Sequence, residues 1–177
     1  MNTLEFNKLT DELGDLIHFM TSNEWPYHSG VSTKEQVTNA FDKGWYGNGR
    51  ETFWIELEQQ KVGLLIIHDI EDSIPLFDLR LCESVRGKGI GTKSLVWLKD
   101  YIFNLPDKKI RIEAYTRSDN IGMRKTFAKT GFVKEGYLRQ AWENDDGTLS
   151  DSLCYAVIRS DWEKGIVTPI KLNELPF

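Results

Sequence analysis

The spacing of apolar positions changes several times along the chain, and each change marks an element. In residues 34–43, Val37, Ala40 and Phe41 recur at helical spacing behind Ser32 and Thr33, either of which suits an N-cap, and Gly44 supplies a stop. Three strand-like runs follow, at residues 52–59, 62–69 and 75–83. A short polar turn joins the first two, so an antiparallel meander is expected. The chain then passes through Val85-Arg86-Gly87-Lys88-Gly89-Ile90-Gly91 into a pattern in which Leu95, Leu98 and Ile102 share one helical face, ending near Leu105. Residues 110–116 read as the next strand. A strand, loop, helix, strand unit of this kind has parallel strands joined right-handedly. A second helix is expected over 120–130, with Met123 and Phe127 on one face and Gly131 just past its end. Strands at 133–143 and 149–159 flank the turn Asn144-Asp145-Asp146-Gly147, and residues 165–177 show no clear periodicity. The pattern predicts an α/β (α+β) architecture in a single domain over 1–177. Its sheet is mixed and mostly antiparallel, and helices flank it.

Composition narrows the function. With 177 residues, 40% hydrophobic and 28% charged, the chain has the makings of a core, which excludes wholesale disorder. Its longest apolar stretches, such as residues 62–67, are far shorter than a membrane span, and the acidic, polar start lacks a signal design. A cytoplasmic protein with no membrane partner is therefore expected. A net charge of -5, from 22 basic and 27 acidic side chains, argues against nucleic acid and leaves room for a local basic pocket. Cys82 and Cys154 sit in apolar runs without metal or redox spacing and read as reduced core residues. His18, His28 and His68 lack ligand spacing, so no metal is expected. A homodimer is expected on the general frequency of such assemblies.

Glycines at alternate positions before a helix free backbone N–H groups to converge on an anion, with the helix dipole in support. Phosphate fits that description. The dinucleotide fingerprint fails, because the position that needs glycine holds Thr92, and no P-loop string exists. The alternative is a glycine-rich turn that only bends a strand into a helix.

Taken together, Arg86-Gly87-Lys88-Gly89-Ile90-Gly91 after one strand and the run from Asn120 to Gly131-Phe132 after the next resemble the GNAT superfamily of N-acetyltransferases. The resemblance covers about residues 75–132, and its continuation to Asp161-Trp162 is similar to the branch of ribosomal-protein alanine acetyltransferases. Residues 1–50 carry no recognisable signature. The resemblance implies a GNAT-type sheet splayed at an acetyl-CoA site. It also implies that the backbone from Arg86 through Gly87, Lys88, Gly89 and Ile90 to Gly91 holds the pyrophosphate, with Thr92 nearby. Leu81 would then pair with the pantetheine arm, and Asn120 would contact the coenzyme further along. Of the nearby cations Lys88, Lys93, Arg124 and Lys125, Lys88 ranks first as a partner for the remaining phosphate charge.

Direct acetyl transfer needs an aligned neutral amine, a donor for the developing oxyanion, and a route for protons. A main-chain N–H near Leu81 or Cys82 is the expected donor. Glu113 stands where the related enzymes place a base, and its alternative is a pairing with Arg111. Asp78 is the second candidate base, with pairing to Arg80 as its alternative. The family's proton-donating tyrosine is replaced by Phe127, which leaves Tyr155 as a substitute or as a core residue. Trp25, Tyr27 and His28, and more distantly the carboxylates near Trp142, suit an amine acceptor: a polyamine, an aminoglycoside or a peptide N-terminus. The alternative is that the aromatics fill a core edge. The expected activity is acetyl-CoA-dependent transfer to a small-molecule or peptide amine, and the alternative is an acyl-CoA-binding or sensing module that performs no chemistry.

Overall fold

Seven strands form one sheet in the order β1-β2-β3-β4-β5-β7-β6 in a computed structural model that describes residues 3–28 and 32–174. In chain order these are β1 (Leu4–Lys8), β2 (Arg50–Leu57), β3 (Gln60–His68), β4 (Leu76–Leu81), β5 (Arg111–Arg117), β6 (Val133–Glu143) and β7 (Leu149–Ile158). The helices are α1 (Leu13–Thr21), α2 (Lys34–Asp42), α3 (Ile90–Phe103), α4 (Ile121–Lys129) and α5 (Arg159–Lys164). The meander of β2, β3 and β4 is antiparallel, β4 and β5 are parallel, and β7 inserts between β5 and β6. The sheet is thus mixed and mostly antiparallel, as the pattern predicts.

The central strands are apolar on both faces because helices cover both. On one face Phe53, Ile55, Leu65 and Ile67 pack with Leu95, Leu98 and Ile102 of α3 and Phe127 of α4. On the other, Trp54, Leu64 and Ile66 meet Leu16, Phe19 and Met20 of α1 and Val37 of α2. Thr33 takes the N-cap of α2 in a reciprocal capping box with Gln36, so Ser32 is the residue just outside. Gly131 has a left-handed φ of 80° past α4, as its position suggests.

Three features differ from the expectation. Strand β1 and helix α1 lie in the N-terminal region without a signature. The Glu12 side chain makes no capping bond at the start of α1, so the usual helix-start signal is missing. The last strand ends at Ile158, and Arg159 opens α5. Past α5 the aperiodic tail is pinned, since the buried Asp161 carboxylate accepts from the Thr168 N–H at 2.9 Å and from its hydroxyl at 3.0 and 3.1 Å.

Candidate active site

The site begins where β4 and β5 part. Their parallel pairing is confined to one end, where Leu76 faces Glu113 and the Glu113 N–H reaches the Pro75 carbonyl at 3.0 Å. Beyond that point the strands diverge. In the β3–β4 ladder the Cys82 N–H donates to the Val62 carbonyl at 2.9 Å, so even-numbered main-chain groups of β4 face β3. By alternation the N–H groups of Leu79 and Leu81 face the gap. Of the two sequence-predicted oxyanion donors, Cys82 is therefore already spent on the ladder.

On one side of the gap a cleft of about 430 Å³ is lined by Leu81, Arg86, Gly87, Gly89, Gly91 and Thr92, together with α4 residues including Gly122, Lys125, Thr126 and Lys129. Gly87 and Gly89 have φ of 75° and 82°, and a Cβ on either would meet nothing within 4 Å. Their glycine identity therefore serves the left-handed backbone and leaves the space above the loop open. Among the described residues, the N–H groups from Gly87 to Thr92 make no well-formed hydrogen bond within the protein. That is the arrangement of an anion cradle at a helix N-terminus.

The side chains around this loop divide by role. Arg86 turns back, donating from Nε to the Leu81 carbonyl at 2.9 Å and from Nη2 to the Glu24 carbonyl at 2.7 Å, so it clips the segment after α1 onto the end of β4. Lys88 is exposed and stands outside the lining, whereas Lys125 and Lys129 stand within it. The Ile90 side chain is buried in the core, leaving its main chain for the cleft. Asn120 caps α4, its Oδ1 accepting from the Met123 N–H at 3.1 Å while its Nδ2 donates to the Thr116 hydroxyl at 3.1 Å.

Across the gap lies a second cavity of about 470 Å³, which shares Tyr27, His28, Leu79, Asn120 and Met123 with the first. Phe77, Tyr115, Phe127 and Trp142 form its aromatic walls, while Arg50, His68, Asp78 and Arg80 contribute polar groups. His28 bridges the two spaces. Its Nε2 lies 2.7 Å from Asp78 Oδ1, and Arg80 Nε donates to Asp78 Oδ2 at 3.0 Å. Burial pushes the Asp78 pKa up, but His28 and Arg80 outweigh it and hold the carboxyl well below the usual range. An ionised Asp78 selects the His28 tautomer with its proton on Nε2. Nδ1 is then the acceptor, and it is buried with no partner among the described residues.

The segment from Glu24 to His28 roofs both spaces. Besides Arg86 and Asp78, Arg117 holds it, donating from Nη1 to the Pro26 carbonyl at 3.3 Å and to Asn144 Oδ1 at 2.9 Å, with its guanidinium 5.4 Å from the Tyr27 ring. Trp25 anchors it from below, donating its indole N–H to the Met20 carbonyl at 3.0 Å.

The other sequence candidates stand apart. Glu113 lines neither cavity; its oxygens meet Arg111 at 3.0 Å and the Tyr115 hydroxyl at 3.2 Å, on the sheet face that carries Glu135. Tyr155 is a core residue, with its ring stacked on Phe127 at 4.6 Å. Sequence reasoning missed Arg50, His68 and Tyr115 as wall residues. Only the alternation of Arg111, Glu113 and Tyr115 carried a signal for any of them.

Residues 3–133 match the family model described as an acetyltransferase (GNAT) domain. The chain belongs to the GNAT acetyltransferases. No curated protein matches it, but many solved structures do. One is a chimera of the spermidine N-acetyltransferase SpeG from Vibrio cholerae and hSSAT, with 22% identity, a TM-score of 0.78, and coverage of 90% of this chain and 98% of the other. Another is RimL, a ribosomal-protein alpha-N-acetyltransferase in complex with coenzyme A, with 21% identity, a TM-score of 0.78, and coverage of 88% and 94%. A dodecameric spermidine N-acetyltransferase from Vibrio cholerae matches at 20% identity and a TM-score of 0.74, covering 90% of this chain and 95% of the other. These GNAT structures share the fold. GNAT enzymes use acetyl-CoA, and the residues present here fit that group: a free N–H cradle, an open space above two glycines, two lysines on the rim, and unpaired main-chain groups along β4.

Proposed function

We propose that this GNAT enzyme transfers an acetyl group from acetyl-CoA directly to an amine held in the cavity of Arg80 and Trp142, with His28 taking the amine's proton. The reading rests on one observation: His28 stands at the junction of the two cavities, fixed by Asp78 through one nitrogen and, among the described residues, unpartnered at the other.

The coenzyme supplies a thioester carbonyl as electrophile. The N–H groups of Gly87 through Thr92 bind its phosphates, with Lys125 and Lys129 adding charge at the rim. The gap-facing main chain of Leu79 and the Leu81 N–H satisfy an amide-bearing arm in the manner of an added strand and offer an N–H to developing negative charge, the Leu81 carbonyl being held by Arg86. Tyr27, Phe77 and Trp142 enclose the acceptor and exclude water from it. His28 Nδ1 accepts the proton that the attacking nitrogen sheds, while Asp78 holds the ring in place and stabilises the imidazolium. Asp78 is thus a positioning residue. The buried Phe127 has no proton to give, and a thiol of pKa about 8.5 is a tolerable leaving group without one.

The test is calorimetric titration with acetyl-CoA followed by thiol-release assays against amines in the same preparation. Coenzyme binding with amine-dependent release supports the reading, and absence of coenzyme binding overturns it.

A further inference from the structure

We propose that the acceptor is a compact amino-carboxylate, an α-amino acid or a close analogue, whose carboxylate is held by Arg80 and Arg50. The proposal rests on the acetyl-transfer reading above and names its substrate class. It begins from the polarity of the acceptor cavity, whose buried polar wall offers donors. Among the described residues Arg80 spends only Nε in hydrogen bonding, on Asp78, and its Nη1 is buried without a partner. Arg50 donates from Nη1 to the Trp45 and Asn48 carbonyls, each at 3.3 Å, which leaves Nη2 for a ligand, and from Nε to His68 Nδ1 at 3.0 Å, so His68 carries its own proton on Nε2, making that nitrogen another donor. Burial lowers the His68 pKa and the neighbouring Arg50 adds to this, outweighing Asp78 and Asp69, so the ring favours this neutral form.

The acceptor side of the ledger is already committed. Both Asp78 oxygens are taken, by His28 and Arg80, and Asp69 sits exposed at the rim. Among the described residues an ammonium group entering the cavity therefore finds no buried carboxylate free to receive it, and a second ammonium, as in a polyamine, would face two guanidiniums. A carboxylate has the opposite fit. It supplies the oxygen that the buried Arg80 N–H lacks, in the planar geometry a guanidinium prefers. The same cations lower the pKa of an adjacent amine, which favours the neutral nucleophile that His28 would otherwise have to create. Phe77, Tyr115 and Trp142 give the remainder of the acceptor an aromatic enclosure. Near Trp142 the carboxylates of Glu143, Asp145 and Asp146 line a separate cavity of about 270 Å³ with His28 and Arg117, but all three are exposed to solvent, and Asp146 Oδ1 is bound by the Thr148 N–H at 2.9 Å and hydroxyl at 2.6 Å.

The experiment uses matched acceptors on the full chain: phenylalanine with phenethylamine and phenylalaninamide, leucine with isoamylamine, and spermidine as the multiply cationic probe. Binding to the coenzyme A-loaded protein is measured by calorimetry and acetylation by thiol release. Amino acids are expected to bind and react at least about ten-fold better than their partners lacking a carboxylate, as charge-assisted hydrogen bonds imply. Arg80→Met is expected to bring the ratio within about two-fold, and Arg80→Lys to restore part of it. Because Arg80→Met also disturbs Asp78, Arg50→Met provides a second variant, expected to lower the ratio by a smaller factor. Equal or better performance by the decarboxylated amines or spermidine overturns the proposal. So does a ratio that survives both substitutions, or absence of binding by every carboxylated member. Selective amino-acid binding without thiol release would instead defeat the acetyl-transfer reading and leave the carboxylate site standing.

Discussion

The two sides of the β4–β5 gap are made of different material. The glycine-loop side presents main-chain N–H groups from six consecutive residues, with lysines only at its rim. The acceptor side is assembled from side chains on β2, β3, β4 and β5 and on the segment after α1, and its charges are tied to one another through Asp78. A site made of backbone tolerates the loss of a nearby side chain but not an altered backbone. A site made of coupled side chains should behave in the reverse way.

Gly89→Glu tests the first half and should have the largest effect on coenzyme binding. It forces a long, anionic side chain onto a residue with φ of 82° that faces the open cleft, and acetyl-CoA binding by calorimetry should fall by more than about a hundred-fold. Lys125→Ala, by contrast, should weaken it only a few-fold, since one rim charge is screened. If the two effects are similar, the contrast between backbone and side chain fails. On the acceptor side His28→Gln should cut amine-dependent thiol release by roughly 10²–10⁴-fold, the range expected for loss of a general base. A variant with an unchanged rate would remove His28 from the chemistry.

A smaller effect is expected on stability. The folded state holds Asp78 below its unfolded pKa, so its contribution is full above about pH 4 and is lost as pH falls further. His68 is also depressed; the unfolded chain takes up its proton first, so stability falls as pH drops below about 6.5. Urea denaturation of the wild type from pH 7 to 3 should show both losses, and Asp78→Asn should lack the more acidic one. The smallest change is expected from Phe127→Tyr. The ring is 1% exposed, against Phe77, Phe132 and Tyr155, so a hydroxyl there meets aromatic carbon. The rate should change by less than about three-fold; a gain of ten-fold in thiol release would mean that leaving-group protonation limits the reaction.

Much of this contrast was legible beforehand, and unevenly so. The glycine loop, α3, β5 and α4 follow one another in sequence, so a local string carries their arrangement, and the apolar runs of β2 and β3 announce strands covered on both faces. The acceptor wall has no such string. Arg50 and His68 meet because β2 and β3 pair with Arg50 opposite His68, which depends on register, and His28 reaches Asp78 across 50 residues of chain. Glu113 and Asp78 looked equivalent as carboxylates on strands. Their surroundings separate them: one lines neither cavity and pairs with Arg111 and with the hydroxyl of the wall residue Tyr115, and the other turns toward His28. Strand β1 was invisible because it is short and lies at the sheet edge, where pairing with β2 does the work that periodicity would otherwise reveal.

Gly63 sits opposite Leu81 in the β3–β4 ladder, and a Cβ there would lie 2.6 Å from Leu81 Cδ2 and 2.8 Å from the Arg80 carbonyl oxygen. The strand it fits has two possible parities. In the observed one, odd residues of β4 turn their amides to the gap and their side chains to α3, while Asp78 and Arg80 turn to the acceptor. A slip of one residue would exchange all of these assignments together. The position of a single missing methyl group thus carries one bit of information, and that bit decides whether the gap between two strands is a reaction site or a hole.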